Sequence, residues 1–176
     1  MLQAARERGI LEQDDTGDDG KEDADASAPG WAPFALHPVL KKAMVALGFN
    51  TPTDVQAATL PPSLGTDAMQ PRDVVGVAQT GSGKTLAYAL PILQYILENT
   101  AHSQDPARSL EALVLTPTRE LALQVCSHIR AVVEAGGCFA NVAAICGGMS
   151  VQKQERVLLQ HGGDHNLVAT PARRWG

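Results

Sequence analysis

The sequence has little aromatic character, few cysteines and no long apolar run. Aromatic residues make up 4% of the 176 residues, within an apolar share of 44% that is normal for a globular chain and excludes disorder of the whole chain. Because no run approaches about 18 consecutive apolar residues, we expect no membrane-spanning helix. The basic residues near the N-terminus are not followed by an apolar stretch, which argues against a secretory signal, so we expect an intracellular protein.

The cysteines and closely spaced histidines do not form a metal-binding pattern. Cys126, Cys138 and Cys146 are odd in number and lack C-x-x-C spacing, which favours neither a disulfide framework nor a zinc site. His161 and His165 have i,i+4 spacing, but no helical pattern presents them and no nearby cysteine or acid completes a site. We therefore expect core thiols and loop imidazoles.

Negative charge is concentrated in residues 1–30. This segment carries three basic and nine acidic residues, a formal charge of −6, whereas the rest carries eleven basic and ten acidic residues, a charge of +1. Residues 14–30 contain no large apolar side chain, so they cannot bury enough surface to offset the entropy of ordering. We expect residues 1–30 to form a disordered acidic leader, and the body that follows remains compatible with a polyanionic ligand.

From Trp31 onward, helical patterns alternate with short apolar strands. Pro61-Pro62 is expected to break the second helix, and Pro91 to kink the third or end its first half. Strands and helices in alternation predict an α/β fold with a parallel sheet and helices on both faces. The predicted strands are residues 73–78, 111–117, 141–146 and 166–170, and the predicted helices are residues 37–48, 52–62, 85–99, 118–137 and 150–160.

The segment AQTGSGKT follows a predicted strand and opens a predicted helix. Gly81 and Gly83 allow backbone conformations closed to other residues, and the helix start offers unpaired N–H groups. Lys84 can reach the β- and γ-phosphates of a nucleotide, and the Thr85 hydroxyl can ligate Mg²⁺. The generic phosphate-loop pattern is met except that Ala78 replaces its first glycine. The predicted nucleoside triphosphate site comprises Ala78, Gln79, Thr80, Gly81, Ser82, Gly83, Lys84 and Thr85, with Lys84 and Thr85 as catalytic residues and Thr85 as metal ligand.

The segment GFNTPTDVQ, residues 48–56, is a candidate for reading the base. The Gln56 amide can donate to one edge atom of adenine and accept from another, as glutamine does with adenine in nucleic acids. Phe49 can stack on the base or simply pack against the interior. Taken alone, Gln56 is more often a surface helix residue.

Together these residues resemble the first half of a DEAD-box RNA helicase, a superfamily 2 ATPase, over about residues 31–174. Trp31 resembles the isolated upstream aromatic of that family, and residues 48–56 resemble its adenine-reading Q motif. The phosphate loop of the family also begins with alanine. Its RNA-contacting motifs resemble PTRELALQ at residues 117–124, Gly147-Gly148, and TPAR at residues 170–173.

The resemblance implies a RecA-like P-loop NTPase fold with ATP and Mg²⁺ as cofactors. It implies that Gln56 recognises adenine, that Phe49 lies against the ring, that Thr53 braces the phosphate loop, and that Trp31 belongs to the same site. GGMSVQKQERVL, residues 147–158, further resembles the nucleolar branch that assembles the large ribosomal subunit. That likeness implies pre-ribosomal particles as partners and a nuclear or nucleolar location.

RNA is the partner that the resemblance implies. Arginine pairs with phosphate, as do backbone N–H groups at glycines and helix starts, and none of these contacts reads base identity. We therefore expect sequence-tolerant RNA binding that weakens with salt. The residues carried over to this role are Pro117, Thr118, Arg119, Glu120, Gly147, Gly148, Thr170, Pro171 and Arg173.

Two departures from the family pattern stand out. Ala172 replaces a glycine, so a methyl group lies where backbone would approach RNA. The sequence also contains no Asp-Glu-Ala-Asp motif, no Ser-Ala-Thr motif and no second RecA-like domain, whose arginine finger alone can contribute ~10³–10⁵ in rate. We therefore interpret residues 31–176 as a truncated first RecA-like domain that cannot hydrolyse ATP by itself. Residues 73–78 would then lack neighbouring strands and expose apolar surface, making the isolated chain unstable or prone to aggregate.

Two alternatives stay open at this point. The first is a different P-loop ATPase, such as a DNA helicase or translocase, which a preference for ATP over GTP through Gln56 would argue against. The second is a natural short product that binds RNA or a partner without hydrolysis. An in-frame stop after codon 176 in an expressed transcript would favour this product, whereas continuation into Asp-Glu-Ala-Asp would favour the enzyme.

Overall fold

The computed structural model describes residues 28–65, 69–100, 110–138, 140–159 and 165–169. Most of the predicted acidic leader, His161 and the segment from Thr170 to Arg173 lie outside these ranges. Within them, no helix is long and apolar enough to cross a membrane.

The described residues alternate between helices and strands, as the sequence predicts. A short 3₁₀ turn at Pro29–Trp31 precedes the first helix. The elements are α1 Pro38–Ala46, α2 Asp54–Leu64, α3 Lys84–Thr100, β1 Leu110–Leu115, α4 Arg119–Gly136, β2 Asn141–Ile145, α5 Val151–Leu159 and β3 His165–Ala169.

The three strands form one parallel sheet with the order β1-β3-β2. In its register, Leu113 of β1 is paired with Leu167 of β3, and Leu167 is paired with Ala143 of β2. The last strand in the sequence therefore lies in the centre of the sheet. Parallel neighbours require long crossovers, which α4 and α5 provide, so the predicted parallel α/β architecture is confirmed.

The helix ends carry local stop and start signals. Pro38 is the first residue of α1, and the His37 ring nitrogen Nδ1 accepts a hydrogen bond from Val39 N at 3.2 Å. The Thr118 hydroxyl accepts from Leu121 N at 3.2 Å and so caps α4. Gly137 ends α4 in the left-handed conformation, with φ of 67°, which glycine adopts at little cost.

A continuous apolar core joins the helices to the sheet. Trp31, Leu40, Leu60 and Leu90 are each 0% exposed and belong to one buried cluster. Within α4, residues at helical spacing face the same cluster, and they are Ala122, Val125, Cys126, Ile129, Val132 and Val133. The amphipathic patterns that predicted these helices therefore correspond to the buried faces.

The prediction of a strand at residues 73–78 is wrong. This segment has no assigned strand pairing, and Val75 and Val77 are each 94% exposed. Its composition favours a strand, but a strand also needs a neighbour that accepts its backbone hydrogen bonds. No described strand is paired with it, because the sheet consists of β1, β3 and β2.

The predicted break of α2 at Pro61-Pro62 is wrong, and so is an end of α3 at Pro91, whereas a kink at Pro91 stays a prediction. Helix α2 continues through Pro61 and Pro62 to Leu64, and α3 continues through Pro91. Proline removes a backbone donor and disfavours a helix interior. In α2 the Ser63 hydroxyl donates to Thr59 O at 2.7 Å, and Leu60 is fully buried. Tertiary packing thus outweighs the local penalty.

Candidate functional site

The segment from Ala78 to Gly83 turns into the N-terminus of α3 and forms a loop. Gly81 and Gly83 have φ values of 81° and 87°, in the left-handed region where a side chain is strained. The Lys84 ammonium donates to Ala78 O at 2.6 Å and to Gln79 O at 2.5 Å. The lysine therefore folds back onto carbonyls of its own loop.

Two features of this loop suit a phosphate group. The Ser82 hydroxyl oxygen is buried and has no hydrogen-bond partner among the described residues, and such an unsatisfied group is costly. The N-terminus of α3 lies directly after the loop and presents N–H groups and a positive dipole end. A bound anion would satisfy these donors, so the residues present fit the phosphates of a nucleotide.

Gln56 connects the start of α2 to the phosphate loop. Its side-chain oxygen Oε1 accepts from Thr53 N at 3.0 Å, and its nitrogen Nε2 donates to Gly83 O at 3.0 Å. The side chain is only 3% exposed. Thr53 and Gln56 form a capping box, a T-x-x-Q pattern that is visible in the sequence and was not predicted.

The backbone of Gly83 approaches this pair too closely for any side chain. A Cβ at Gly83 would lie 2.5 Å from Gln56 Nε2 and 2.9 Å from Thr53 Oγ1. Close approach and positive φ therefore both require glycine here. Thr53, Gln56 and Gly83, three predicted site residues, are brought together by the fold.

Trp31 reaches the same region through the backbone of Phe49. Its indole nitrogen Nε1 donates to Phe49 O at 2.6 Å, and the indole is fully buried beside the Phe34 ring. Phe49 itself is 44% exposed. Trp31 therefore positions the segment that carries Phe49, whereas the Phe49 ring is accessible to a ligand.

Thr85, the predicted metal ligand, interacts with the neighbouring Tyr88. Burial raises the pKa of the Tyr88 hydroxyl, and its hydrogen bond with Thr85 opposes that shift. Both side chains line a cavity of about 710 Å³ that extends to Thr116 and Pro117 at the start of α4. Among the described residues no group of three acidic, histidine or cysteine side chains could hold a metal. One hydroxyl together with nucleotide phosphates is a usual arrangement for Mg²⁺.

The residues carried over to RNA binding lie on two adjacent segments. Thr118 caps α4, and Arg119 and Glu120 occupy its exposed first turn. Arg119 Nη1 lies 4.0 Å from the position that a Cβ on Gly148 would occupy. Gly148 has φ of 82° in the loop between β2 and α5. The fold therefore brings the PTRE segment beside the Gly147-Gly148 pair.

The remaining predicted residues have different outcomes. Gln79 and Thr80 are exposed on the phosphate loop, and Pro117 lines the cavity beside it. The third RNA-contacting motif, with Thr170, Pro171 and Arg173, lies outside the described residues. The predicted core thiols are observed, since Cys126 and Cys146 are buried, Cys138 is half-buried, and all three are free.

Comparison with known proteins places this geometry in a family. The DEAD/DEAH box helicase family model matches residues 53–175. The ATP-dependent RNA helicase mak5 of Aspergillus oryzae is 43% identical over 161 residues, which is 88% of this chain and 20% of the relative. The chain thus spans about a fifth of the length of the curated relatives it matches.

Solved structures of DEAD-box helicases have a similar fold. The RNA helicase Prp28 of Chaetomium thermophilum bound to ADP is 38% identical, with a TM-score of 0.62, covering 77% of this chain and 30% of that chain. Dbp5 of Saccharomyces cerevisiae bound to RNA and ADP BeF3 is 26% identical, with a TM-score of 0.60, covering 81% and 32% of the two chains. These neighbours support the expected RecA-like fold.

Proposed function

The chain belongs to the DEAD/DEAH box helicase family, and from this premise we propose that it is the ATP- and RNA-binding part of an ATP-dependent RNA helicase. The observation that carries the proposal is the link from Gln56 to Gly83 O. This link joins a residue suited to adenine to the loop suited to phosphates. One nucleotide could then contact both at once.

In the proposed complex the nucleotide phosphates replace internal contacts of the loop. Lys84 would exchange Ala78 O and Gln79 O for phosphate oxygens, which are stronger acceptors because they are charged. Ser82 and the start of α3 would supply further donors, and Thr85 would hold Mg²⁺ against the phosphates. Bound Mg²⁺ neutralises charge that develops on phosphate oxygens.

Adenine recognition is compatible with the observed contacts of Gln56. A glutamine amide has two N–H donors and two acceptor lone pairs. Thr53 N uses one lone pair and Gly83 O uses one donor. One donor and one lone pair remain, the complement that an adenine edge requires.

Nucleotide binding by the 176-residue chain tests this proposal. A fluorescent ATP analogue is displaced by ATP or GTP in competition. We expect a preference for ATP of roughly ten- to a hundred-fold, since one good bidentate pair contributes about 1–3 kcal/mol. Lys84→Ala should lose nucleotide binding, and Gln56→Ala should lose the preference for ATP over GTP. Lys42→Ala, at an exposed site on α1, is the control and should change neither property. Equal affinity for GTP would contradict the adenine assignment.

We propose that the chain by itself binds nucleotide without turnover. Asp73 is the one carboxylate among the described residues that line the cavity beside Thr85, and the sequence has no Asp-Glu-Ala-Asp motif. A chimera in which residues 31–169 replace the matching segment of the Aspergillus oryzae relative should hydrolyse ATP when RNA is present. Phosphate release by the chain alone, or hydrolysis by a chimera carrying Lys84→Ala, would refute this assignment.

RNA is the proposed polymer, and Arg119 with Gly148 is its proposed contact. The contacts would be to the backbone, so they should tolerate sequence and weaken with salt. Tighter binding to single-stranded DNA than to RNA of the same sequence would favour the alternative of a DNA helicase. Arg119→Ala should weaken RNA binding, and Lys42→Ala should not.

A role in ribosome assembly is a narrower proposal. Its support is the likeness of residues 147–158 to the nucleolar branch of the family. Sedimentation of the tagged protein through a sucrose gradient tests it, because a partner of pre-ribosomal particles should migrate with them. A protein found only at the top of the gradient would contradict this role and leave ATP and RNA binding unaffected.

A further inference from the structure

A second cavity, of about 460 Å³, lies between α4 and α5. One face of α4 lines it from Arg119 at the first turn to Glu134 near the last, and Lys153 and Val157 of α5 line the opposite side. Residues at helical spacing share a helix face, so this cavity is a groove along α4. Arg119, which lies beside Gly148, marks the upper end of the groove, the end at the N-terminus of α4.

The groove carries an excess of positive charge. Arg119, Arg130 and Lys153 line it together with a single acid, Glu134. Arg119 and Glu134 are separated by fifteen residues of α4, which corresponds to roughly 22 Å at about 1.5 Å per residue. The acid is therefore too far along the helix to neutralise the upper end of the groove.

The three cations differ in what they already bind. Arg130 donates from Nε and Nη2 to Val142 O at 2.9 and 2.6 Å, so it is held at the outer edge of β2. The hydrogen bonds described for Arg119 and Lys153 involve their backbone atoms, Arg119 O and Lys153 N, and both residues line the cavity. An anion in the cavity would be attracted by the positive charges of both side chains.

The loop that precedes α5, the helix that carries Lys153, is held by its own contacts. Cys146 N donates to Met149 Sδ at 3.3 Å, and Gln154 Nε2 donates to Met149 O at 3.1 Å. Lys153 N donates to Ser150 O at 3.0 Å, in the first turn of α5. A cation in a first helical turn gains nothing from the helix dipole. Its position is therefore not explained by the stability of α5.

We infer that Lys153 is a further contact for the RNA backbone, binding a phosphate next to the one held by Arg119 and Gly148. This inference rests on the proposed function and adds a residue outside the motifs carried over from the sequence. A lysine ammonium binds phosphate as a point charge, so this contact adds affinity and no sequence preference. An RNA strand in this groove would lie between α4 and α5, within reach of both side chains.

The test measures RNA binding by the 176-residue chain over a series of KCl concentrations. The probe is a short, single-stranded, fluorescein-labelled oligouridylate, and fluorescence anisotropy gives the association constant. Each phosphate neutralised on a single strand contributes about 0.7 to the slope of log K against log salt. We expect Lys153→Ala to make the slope shallower by about 0.7. Lys153→Arg, which keeps the charge, should retain the original slope.

Matched variants separate this inference from the function it rests on. Lys42→Ala removes an exposed lysine of α1 and should leave the slope unchanged. If Arg119→Ala weakens binding but Lys153→Ala does not, the inference is wrong and the proposed RNA site stands. The inference also fails if Lys42→Ala matches Lys153→Ala, or if Lys153→Arg behaves like Lys153→Ala. A chain that binds no RNA, or binds it equally well without Arg119, overturns the proposed function and the inference together.

Discussion

The exposed valines of residues 73–78 provide the sharpest test of how this fold is held together. Val75 and Val77 are each 94% exposed and lie two residues apart in the segment before the phosphate loop. On β1, Leu113 and Leu115 are 51% and 64% exposed and share the same spacing. We expect these surfaces to drive association of the chain, and the double change Val75→Lys with Val77→Lys to oppose it.

The expected magnitude follows from the buried area. Full burial of a valine side chain contributes at least about 1.5 kcal/mol, so the two valines together contribute about 3 kcal/mol. That free energy corresponds to roughly a hundred-fold change in an association constant. The introduced lysines add charge, which disfavours pairing along a strand. Association of the double variant should therefore require about a hundred-fold more protein.

Sedimentation velocity at increasing protein concentration measures this association. Val151→Lys is the matched control, because Val151 is 63% exposed on helix α5 and changes the net charge in the same direction. A parent chain that stays monomeric at every concentration and melts in one sharp two-state transition would refute the reasoning. An equal effect of Val151→Lys would show that charge, and not the valine surface, controls association.

Two further predictions concern glycine and thiol chemistry. In the Aspergillus oryzae chimera, Gly81→Ala should lower stability by about 1–2 kcal/mol through positive φ alone, since a Cβ there meets nothing within 4 Å. Gly83→Ala should lower the stability by about 1–3 kcal/mol more than Gly81→Ala, because the added methyl group displaces Gln56. Thermal denaturation compares the two variants. Equal losses of stability would contradict the close contact between Gly83 and Gln56. Burial raises the pKa of the Cys126 thiol, Arg130 lowers it, and nearby Cys146 raises it. The rate of Cys126 alkylation in the folded chain should therefore still increase with pH where the rate for the unfolded chain has already reached its maximum. A rate that levels off at the same or a lower pH in the folded chain would contradict the raised pKa.

The parts of the fold that depend on local patterns were predictable from the sequence. Helices α1, α3 and α4 follow apolar spacing, and β1, β2 and β3 follow short apolar runs. The loop that precedes α3, with Gly81 and Gly83 at positive φ, was also predictable from its glycines. In each case residues close in sequence carry enough information, because helix periodicity and glycine conformations are set locally.

The failures share a different cause. Residues 73–78 have the composition of a strand, but pairing depends on partners that composition does not reveal. The prolines of α2 carry a local penalty, and the burial of Leu60 that outweighs it is visible only in the folded chain. Lys153 lies outside the RNA-contacting motifs, and its relation to Arg119 arises from the packing of α5 beside α4. Non-local contacts decide all three.

Gln56 combines a structural role and a proposed binding role in one amide. The Gln56 side chain is only 3% exposed, and a buried amide without hydrogen-bond partners would destabilise the fold. Its bonds to Thr53 N and Gly83 O reduce that cost and restrain the amide before any nucleotide binds. A fixed amide loses little conformational freedom on binding, which favours affinity. If Gln56 contacts the base as proposed, its bond to Gly83 O would also link the base to the phosphate loop.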